Sequence, residues 1–333
     1  MKKSKKIIFI VLAAVIVLAA AGAGAAWYYY QSSMKKMRNI AVVDTVSPSR
    51  QMASLEDEGP FVFDAEVPQI EPPDPGSVVS DSNIINILLV GLDDSKHLSD
   101  TMIVCSINKE KKDIKLTSFM RDTYVQINNS SRGKLNASYS YGGISLLNSA
   151  LQRNFGVVVD ANVIIDFDGF MYAISQVGDV EIEINEAEAK HLNDHYAQQY
   201  GWHIEPGLQT LNPQQLLEYS RIRHVGYYDF ERTERQRRVL TAAFNKVKTM
   251  SIFSLIGMVD RIIPYVQTDL ETSQIIDLVK LMFVKDNDGK AMEISETFRI
   301  PVDGKNMMVN GQAVLQCNMS LNQQEFYDFV YGE

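Results

Sequence analysis

The chain has 333 residues, 46% of them hydrophobic and 22% charged, enough apolar material for one large domain or two ordinary ones. Its formal net charge is −9, and the seven basic residues up to Arg38 precede the first acidic one, Asp44, so the rest carries 25 basic against 41 acidic residues, a net of −16. A nucleic-acid binder needs the opposite balance, which excludes DNA and RNA as partners.

Residues 1–6 form a basic tail, with KKSKK at Lys2–Lys6, followed by twenty uncharged residues from Ile7 to Ala26 and the aromatic run Trp27–Tyr30. An apolar helix of that length crosses roughly 30 Å of hydrocarbon, with lysines inside and aromatic residues at the far interface, so a transmembrane anchor is predicted over 7–30. The small residues of Ala21–Ala26 also offer signal-peptide cleavage sites, and either reading exports the chain. Residues 31–80 hold six of the ten prolines and no sustained periodicity, which predicts an extended extracellular spacer.

A folded domain is predicted over 81–333. INILLVG (Ile85–Gly91), TMIVCSI (Thr101–Ile107) and DIKLTSF (Asp113–Phe119) read as strands bounded by polar or glycine positions. GGISLLNSALQRNFG (Gly142–Gly156) has helical spacing and is followed by strand NVIIDF, helix DGFMYAISQVG and strand VEIEI. That alternation predicts an α/β fold, a mixed central sheet with helices on both faces. Asn212 before Pro213 marks a helix start, with Asn as cap, and Arg221 and Arg223 stand at or just past its end. A second helix begins near Asp229, a good cap, and turns Leu240, Phe244 and Val247 inward. Cys105 and Cys317 are the only cysteines, and their pairing is open.

The stretch RIRHVGYYDFERTERQRR, Arg221 to Arg238, places six arginines beside only three acids, Asp229, Glu231 and Glu234. Guanidinium groups converging at about 7 Å repel by roughly 2 kcal/mol per pair at an effective dielectric near 20. A phosphate or pyrophosphate offsets such repulsion through bidentate, charge-assisted hydrogen bonds. Arg232, Arg235 and Gln236 share a helix face at the positive end of the helix dipole. Asp93, Asp94 and Asp100 lie in the loop GLDDSKHLSDT, where carboxylates beside a hydroxyl hold a hard cation or simply make a solvated acidic turn. His191 and His195, at i and i+4, suggest zinc, but Leu192 stands where the metalloprotease pattern needs Glu.

The ordered series ILLVGLDD, SDTM, LTSFMRDTYV, KLNASYSYGG, VIIDFDGF, VGDVEIEI, GLQTLNPQQLLEYSRIRH and DFERTERQRRVL resembles the extracellular domain of the LytR-CpsA-Psr family, strongest over 83–250. The resemblance implies bacterial phosphotransferases that move a polyprenyl-pyrophosphate-linked glycopolymer, such as teichoic acid or capsular polysaccharide, onto peptidoglycan through a phosphodiester. It implies a single-pass membrane protein with its catalytic domain outside the cell. Carried across motif by motif, Asp93 and Asp100 match the Mg²⁺-associated carboxylates (Mg²⁺ or Mn²⁺), and Arg121 of RDT the arginine tied to catalysis. Arg221, Arg223, Arg232 and Gln236 match the pyrophosphate-binding groups, Lys134 of KLNASY is a further phosphate candidate, and Asp229 orients Arg232 or caps its helix. Arg235, Arg237 and Arg238 are not expected as equal partners. The family's loop between the two acidic steps commonly carries arginines, whereas here it has Lys96, His97 and Leu98. That departure keeps two alternatives open: a pyrophosphatase acting on the same lipid-linked donor, and a non-catalytic glycopolymer-binding or regulatory module.

Overall fold

The computed structural model describes residues 38–39, 81–93, 95–223, 225–226, 229–283 and 291–332. In chain order, β1 (Arg38–Asn39) is followed by strands β2 (Ile84–Leu92), β3 (Ser99–Asn108) and β4 (Asp113–Phe119) and the hairpin β5 (Tyr124–Gln126) and β6 (Arg132–Lys134). Then come α1 (Ala137–Phe155), β7 (Ala161–Ile165), α2 (Phe167–Val177), β8 (Val180–Ile184), α3 (Glu186–Tyr200), β9 (Gly207–Leu211), α4 (Pro213–Arg221) and α5 (Asp229–Lys248). The remainder is α6 (Ile252–Ile262), β10 (Val266–Thr268), α7 (Thr272–Phe283), β11 (Glu293–Ile300), the hairpin β12 (Lys305–Val309) and β13 (Gln312–Gln316), and α8 (Met319–Tyr331).

Seven strands form one sheet in the order β1-β10-β7-β2-β3-β4-β11. Strands β2, β4, β7 and β11 run parallel to one another, and β3 and β10 run against them. Side chains alternate across such a sheet, and with both faces covered the strands read as near-continuous apolar runs. Leu88, Val90, Met102, Val104 and Phe119 pack with α1 and α8 on one face, while Ile87, Ile103 and Leu116 meet Leu240 and Phe244 of α5 on the other. The predicted mixed sheet with helices on both faces is what the structure contains. Each fully buried Leu or Ile contributes about 1.5–3 kcal/mol, so this sandwich is what fixes the strand ends in space.

Several elements differ from the sequence reading. VEIEI does not enter the central sheet: β8 pairs with β9 in a separate two-stranded sheet, burying Val180, Ile182 and Ile184 and exposing Glu181 and Glu183. That sheet covers a second core built from α2, α3, α4 and α6. Helix α1 begins at Ala137 rather than Gly142, with a kink at Gly142 and Gly143 where φ of Gly143 is +62°. Arg38–Asn39, within the predicted spacer, pair with β10. The basic tail, the transmembrane anchor and the rest of the spacer lie outside the described residues, and among the described residues no helix is long and apolar enough to cross a membrane. Cys105 and Cys317 are free thiols, and burial pushes both up to about 12, helped for Cys317 by Asp303.

Candidate functional site

The parallel strands share one C-terminal edge, the edge at which open α/β sheets collect ligands. There the β2–β3 register passes from Gly91 opposite Thr101 to Leu92 opposite Ser99, leaving Asp100 as the extra residue of a bulge. Bulges re-aim side chains, and this one turns Asp100 onto Arg121, which lies just beyond β4 and donates to the Asp100 carboxylate. Asp229 and Asp122 approach the Arg121 Nε at 3.5 and 3.7 Å. Burial works against the Arg121 charge, but Asp100, Asp229 and Asp122 outweigh it and hold the guanidinium above its ordinary pKa.

The first turns of α5 close the site. The helix starts at Asp229, and Asp100, Thr101, Ser118, Arg121, Asp229, Arg232, Thr233 and Gln236 are among the residues lining a shallow, tightly packed cleft. Arg232 is only 3% exposed, and its Nε lies 3.5 Å from Asp229, too far for a hydrogen bond. Burial first, then repulsion from Arg121 and Arg223, lower its pKa to about 10 against the pull of Asp229 and Asp100. Asp229 therefore stands between the two arginines, 3.5 Å from the Nε of each. Charged N–H groups so placed suit a multiply charged oxyanion, which brings acceptors and offsets the repulsion together.

The other expected residues divide. Arg223 is exposed and does not line the cleft, but it stands beside it, 3.6 Å from Asp100. Lys134 bonds Asp122 at 2.7 Å and so touches the cluster only through that carboxylate. Arg221 does not line the cleft: its guanidinium carbon stands 4.9 Å from the centre of the Phe167 ring. Nor does Asp93, whose carboxylate accepts from the Ser95 hydroxyl at 2.6 Å and from the His97 and Leu98 N–H groups at 3.0 Å, tying the β2–β3 loop. Its burial would raise its pKa, but those donors prevail and lower it. Lys96, in the β2–β3 loop, pairs with Asp166 at 2.8 Å.

A divalent cation of the Mg²⁺ type binds through one or two carboxylates, with water and substrate phosphate completing its shell. Asp100 is such an oxygen donor inside the cleft, whereas Asp93 lies outside its lining and already accepts three donors of its own loop. Among the described residues no group of three or more His, Cys, Asp and Glu is arranged to hold a metal. His191 and His195 stack with ring centres 4.0 Å apart, and His195 Nδ1 meets the His191 carbonyl at 2.8 Å.

The arginine stretch has a partner that sequence reasoning missed. Glu188, on α3 and fully buried, accepts from Arg235 Nε at 2.8 Å and lies 3.4 Å from Arg238. Arg235 also donates to the carbonyls of Ile222 and Val225 at 2.9 Å, which fixes the segment carrying Arg223. In sequence, Asn185 and Glu188 announce only the capping box that they form at the start of α3.

The family model described as "LytR_cpsA_psr family" matches residues 48–327. A polyisoprenyl-teichoic acid–peptidoglycan teichoic acid transferase TagU of Bacillus cereus is 29% identical over 68% of this chain and 71% of its own. Regulatory protein MsrR of Staphylococcus aureus is 27% identical over 77% of this chain and 76% of its own. Among solved structures, TagT bound to LI-WTA superposes with a TM-score of 0.61 at 20% identity, covering 79% of this chain and 94% of that one. TagV of B. subtilis gives 0.60 at 22% identity, covering 75% and 98%. The two structural likenesses establish the fold.

Proposed function

The chain belongs to the LytR_cpsA_psr family, and from that premise we propose that it is a phosphotransferase that moves a pyrophosphate-linked glycopolymer from a polyprenyl carrier onto peptidoglycan. The observation that carries the reading is the convergence of Arg121 and Arg232 around Asp100 and Asp229 at one cleft, with Arg223 beside it, 3.6 Å from Asp100. The name of the TagU relative supports a glycopolymer transferase, with peptidoglycan as acceptor. The predicted anchor over 7–30 would hold the domain beside the membrane that carries the lipid.

Phosphoryl transfer asks mainly for positioning and charge stabilisation. In this reading Arg232, Arg223 and Gln236 bind the pyrophosphate oxygens, and Arg121, oriented by Asp100 and Asp229, faces the charge that develops as the acceptor oxygen bonds to phosphorus. The phosphoanhydride bond breaks, polyprenyl phosphate leaves with the electron pair of that bond, and the acceptor hydroxyl gives its proton to solvent, so the product is a phosphodiester. A Mg²⁺ or Mn²⁺ held by Asp100, with Asp93 as second donor, would supply further charge neutralisation. Lys134 acts through Asp122 to hold Arg121, and Arg221 shapes the end of α4 beside α2.

The test incubates the chain with Mg²⁺, a lipid-pyrophosphate glycan and peptidoglycan fragments and looks by mass spectrometry for the phosphodiester product. Arg121→Ala is expected to lower its rate by about 10²–10³-fold, the scale for losing one transition-state donor. Product formed as well by Arg121→Ala removes that residue from the chemistry. Lipid phosphate released without transfer favours a pyrophosphatase. Binding without turnover favours a regulatory module, a reading that the name of the MsrR relative also supports.

A further inference from the structure

Two more arginines lie on the α5 side of the sheet, outside the cleft. Arg237 is 6% exposed, and its Nε and Nη1 are buried without a hydrogen-bond partner. Arg299, on β11, has a buried Nε in the same condition, and its guanidinium carbon stands 4.3 Å from the centre of the Phe230 ring.

Register brings the two together. Arg299 pairs with Ser118 of β4, and residues opposite each other share a face. Leu116, two residues before Ser118, packs with Leu240 and Phe244 of α5, so Ser118 and Arg299 look toward that helix. On α5, Thr233, Arg237 and Thr241 follow at i, i+4 and i+8, which makes one stripe. Thr233 and Ser118 line the cleft, so the stripe runs from its wall to Arg237. The Ser118 and Thr241 hydroxyls are also buried without a partner.

The arrangement differs from that of Arg235, whose charge Glu188 balances. Glu234 attracts Arg237 but commits its Oε1 to Arg238 at 2.7 and 3.2 Å. Burial, with repulsion from Arg299 and Arg238, outweighs Glu234 and lowers the Arg237 pKa to about 10. Burial lowers that of Arg299 in the same way, against Glu234 and Glu231. Two guanidinium groups and two hydroxyls whose buried donors meet no acceptor, with Glu234 and Glu231 acting on them only at a distance, make a donor set for a tetrahedral oxyanion.

We propose that Arg237, Arg299, Ser118 and Thr241 form a second oxyanion subsite, continuous with the cleft, that takes a phosphate group. The subsite deepens the transferase reading, because its phosphate is either the second one of the donor's pyrophosphate or one in the glycopolymer backbone.

Calorimetric titration of the full chain in detergent, with inorganic orthophosphate and then inorganic pyrophosphate, tests it. Wild type is expected to take up two orthophosphates per chain, Arg232→Gln to lose one event, and Arg237→Met to weaken the other by roughly tenfold or more. Pyrophosphate weakened to the same degree by Arg237→Met assigns the subsite to the donor's own pyrophosphate. Pyrophosphate left unchanged while the second orthophosphate is lost assigns it to the polymer. Orthophosphate binding by a folded Arg237→Met with wild-type stoichiometry and affinity overturns the proposal. If that variant does not fold, Arg299→Met is read by the same criteria. No turnover is needed, so a failed transfer assay with two phosphates bound would sink the transferase reading alone, and transfer with one phosphate bound the subsite alone.

Discussion

Glu188→Ala isolates the ion pair that joins α3 to α5. In the native chain the Glu188 carboxylate, 0% exposed, faces Arg235, 1% exposed, at 2.8 Å, and also accepts the Asn185 N–H at 3.1 Å. Removing one partner of a buried pair strands the other charge, which costs about 3–5 kcal/mol. Loss of the capping box adds about 1 kcal/mol. Arg238 is not stranded, because Glu234 at 2.7 Å and the Tyr219 hydroxyl at 2.9 Å remain. The sum, about 4–6 kcal/mol, is a large share of the 5–15 kcal/mol that holds an ordinary domain together. Urea denaturation followed by circular dichroism reads it. The double variant Glu188→Met with Arg235→Met removes both charges and is expected to be more stable than Glu188→Ala, although the Ile222 and Val225 carbonyls lose their donor. A single variant that costs less than about 1 kcal/mol, or a double variant worse than the single, refutes the reasoning.

Arg232, held near pKa 10 by burial and by Arg121 and Arg223, is partly neutral at about pH 10 and fully charged at pH 7. A bound oxyanion favours the charged form, so near pH 10 pyrophosphate binding should take up more protons in the native chain than in Arg232→Gln, a difference that vanishes at pH 7, where the ligand's own titration is common to both. Calorimetry in buffers of different ionisation heat measures this, and a variant that takes up as many protons near pH 10 as the native chain, or more, would show the reasoning to be wrong. For the metal, Asp100→Asn is expected to raise the Mg²⁺ or Mn²⁺ concentration needed for transfer well beyond the effect of Asp93→Asn, because Asp93 is engaged with its own loop. Equal shifts in the activation curves would make the two carboxylates equivalent ligands.

What sequence could reveal follows from how local each signal is. The cap at Asn212, with Pro213 at the first helical position and Gln215 reaching back, is complete within four residues, and α4 starts there as predicted. The strand runs of β2, β3 and β4 are legible for the same reason, since each is a short, near-continuous apolar run bounded by polar or glycine positions. VEIEI is the strand its alternation predicts, but its partner, GLQTL, lies beyond an intervening helix, and only the chain's return decides that the two form a sheet of their own. The arginine stretch shows the limit most clearly. Helical spacing separates Arg232 and Gln236 from their neighbours, yet it is silent on which anion each face will meet. Glu188, 47 residues before Arg235, cancels one charge. Arg299, from a strand far downstream, adds a like charge beside Arg237. Charge density in sequence therefore measures how much electrostatic work a segment does, and the packing of α3 and β11 against α5 decides how that work is divided. Arg232 lines the cleft and Arg223 stands beside it, Arg235 fixes the segment between α4 and α5, and Arg237 keeps buried N–H groups that no acceptor among the described residues takes up.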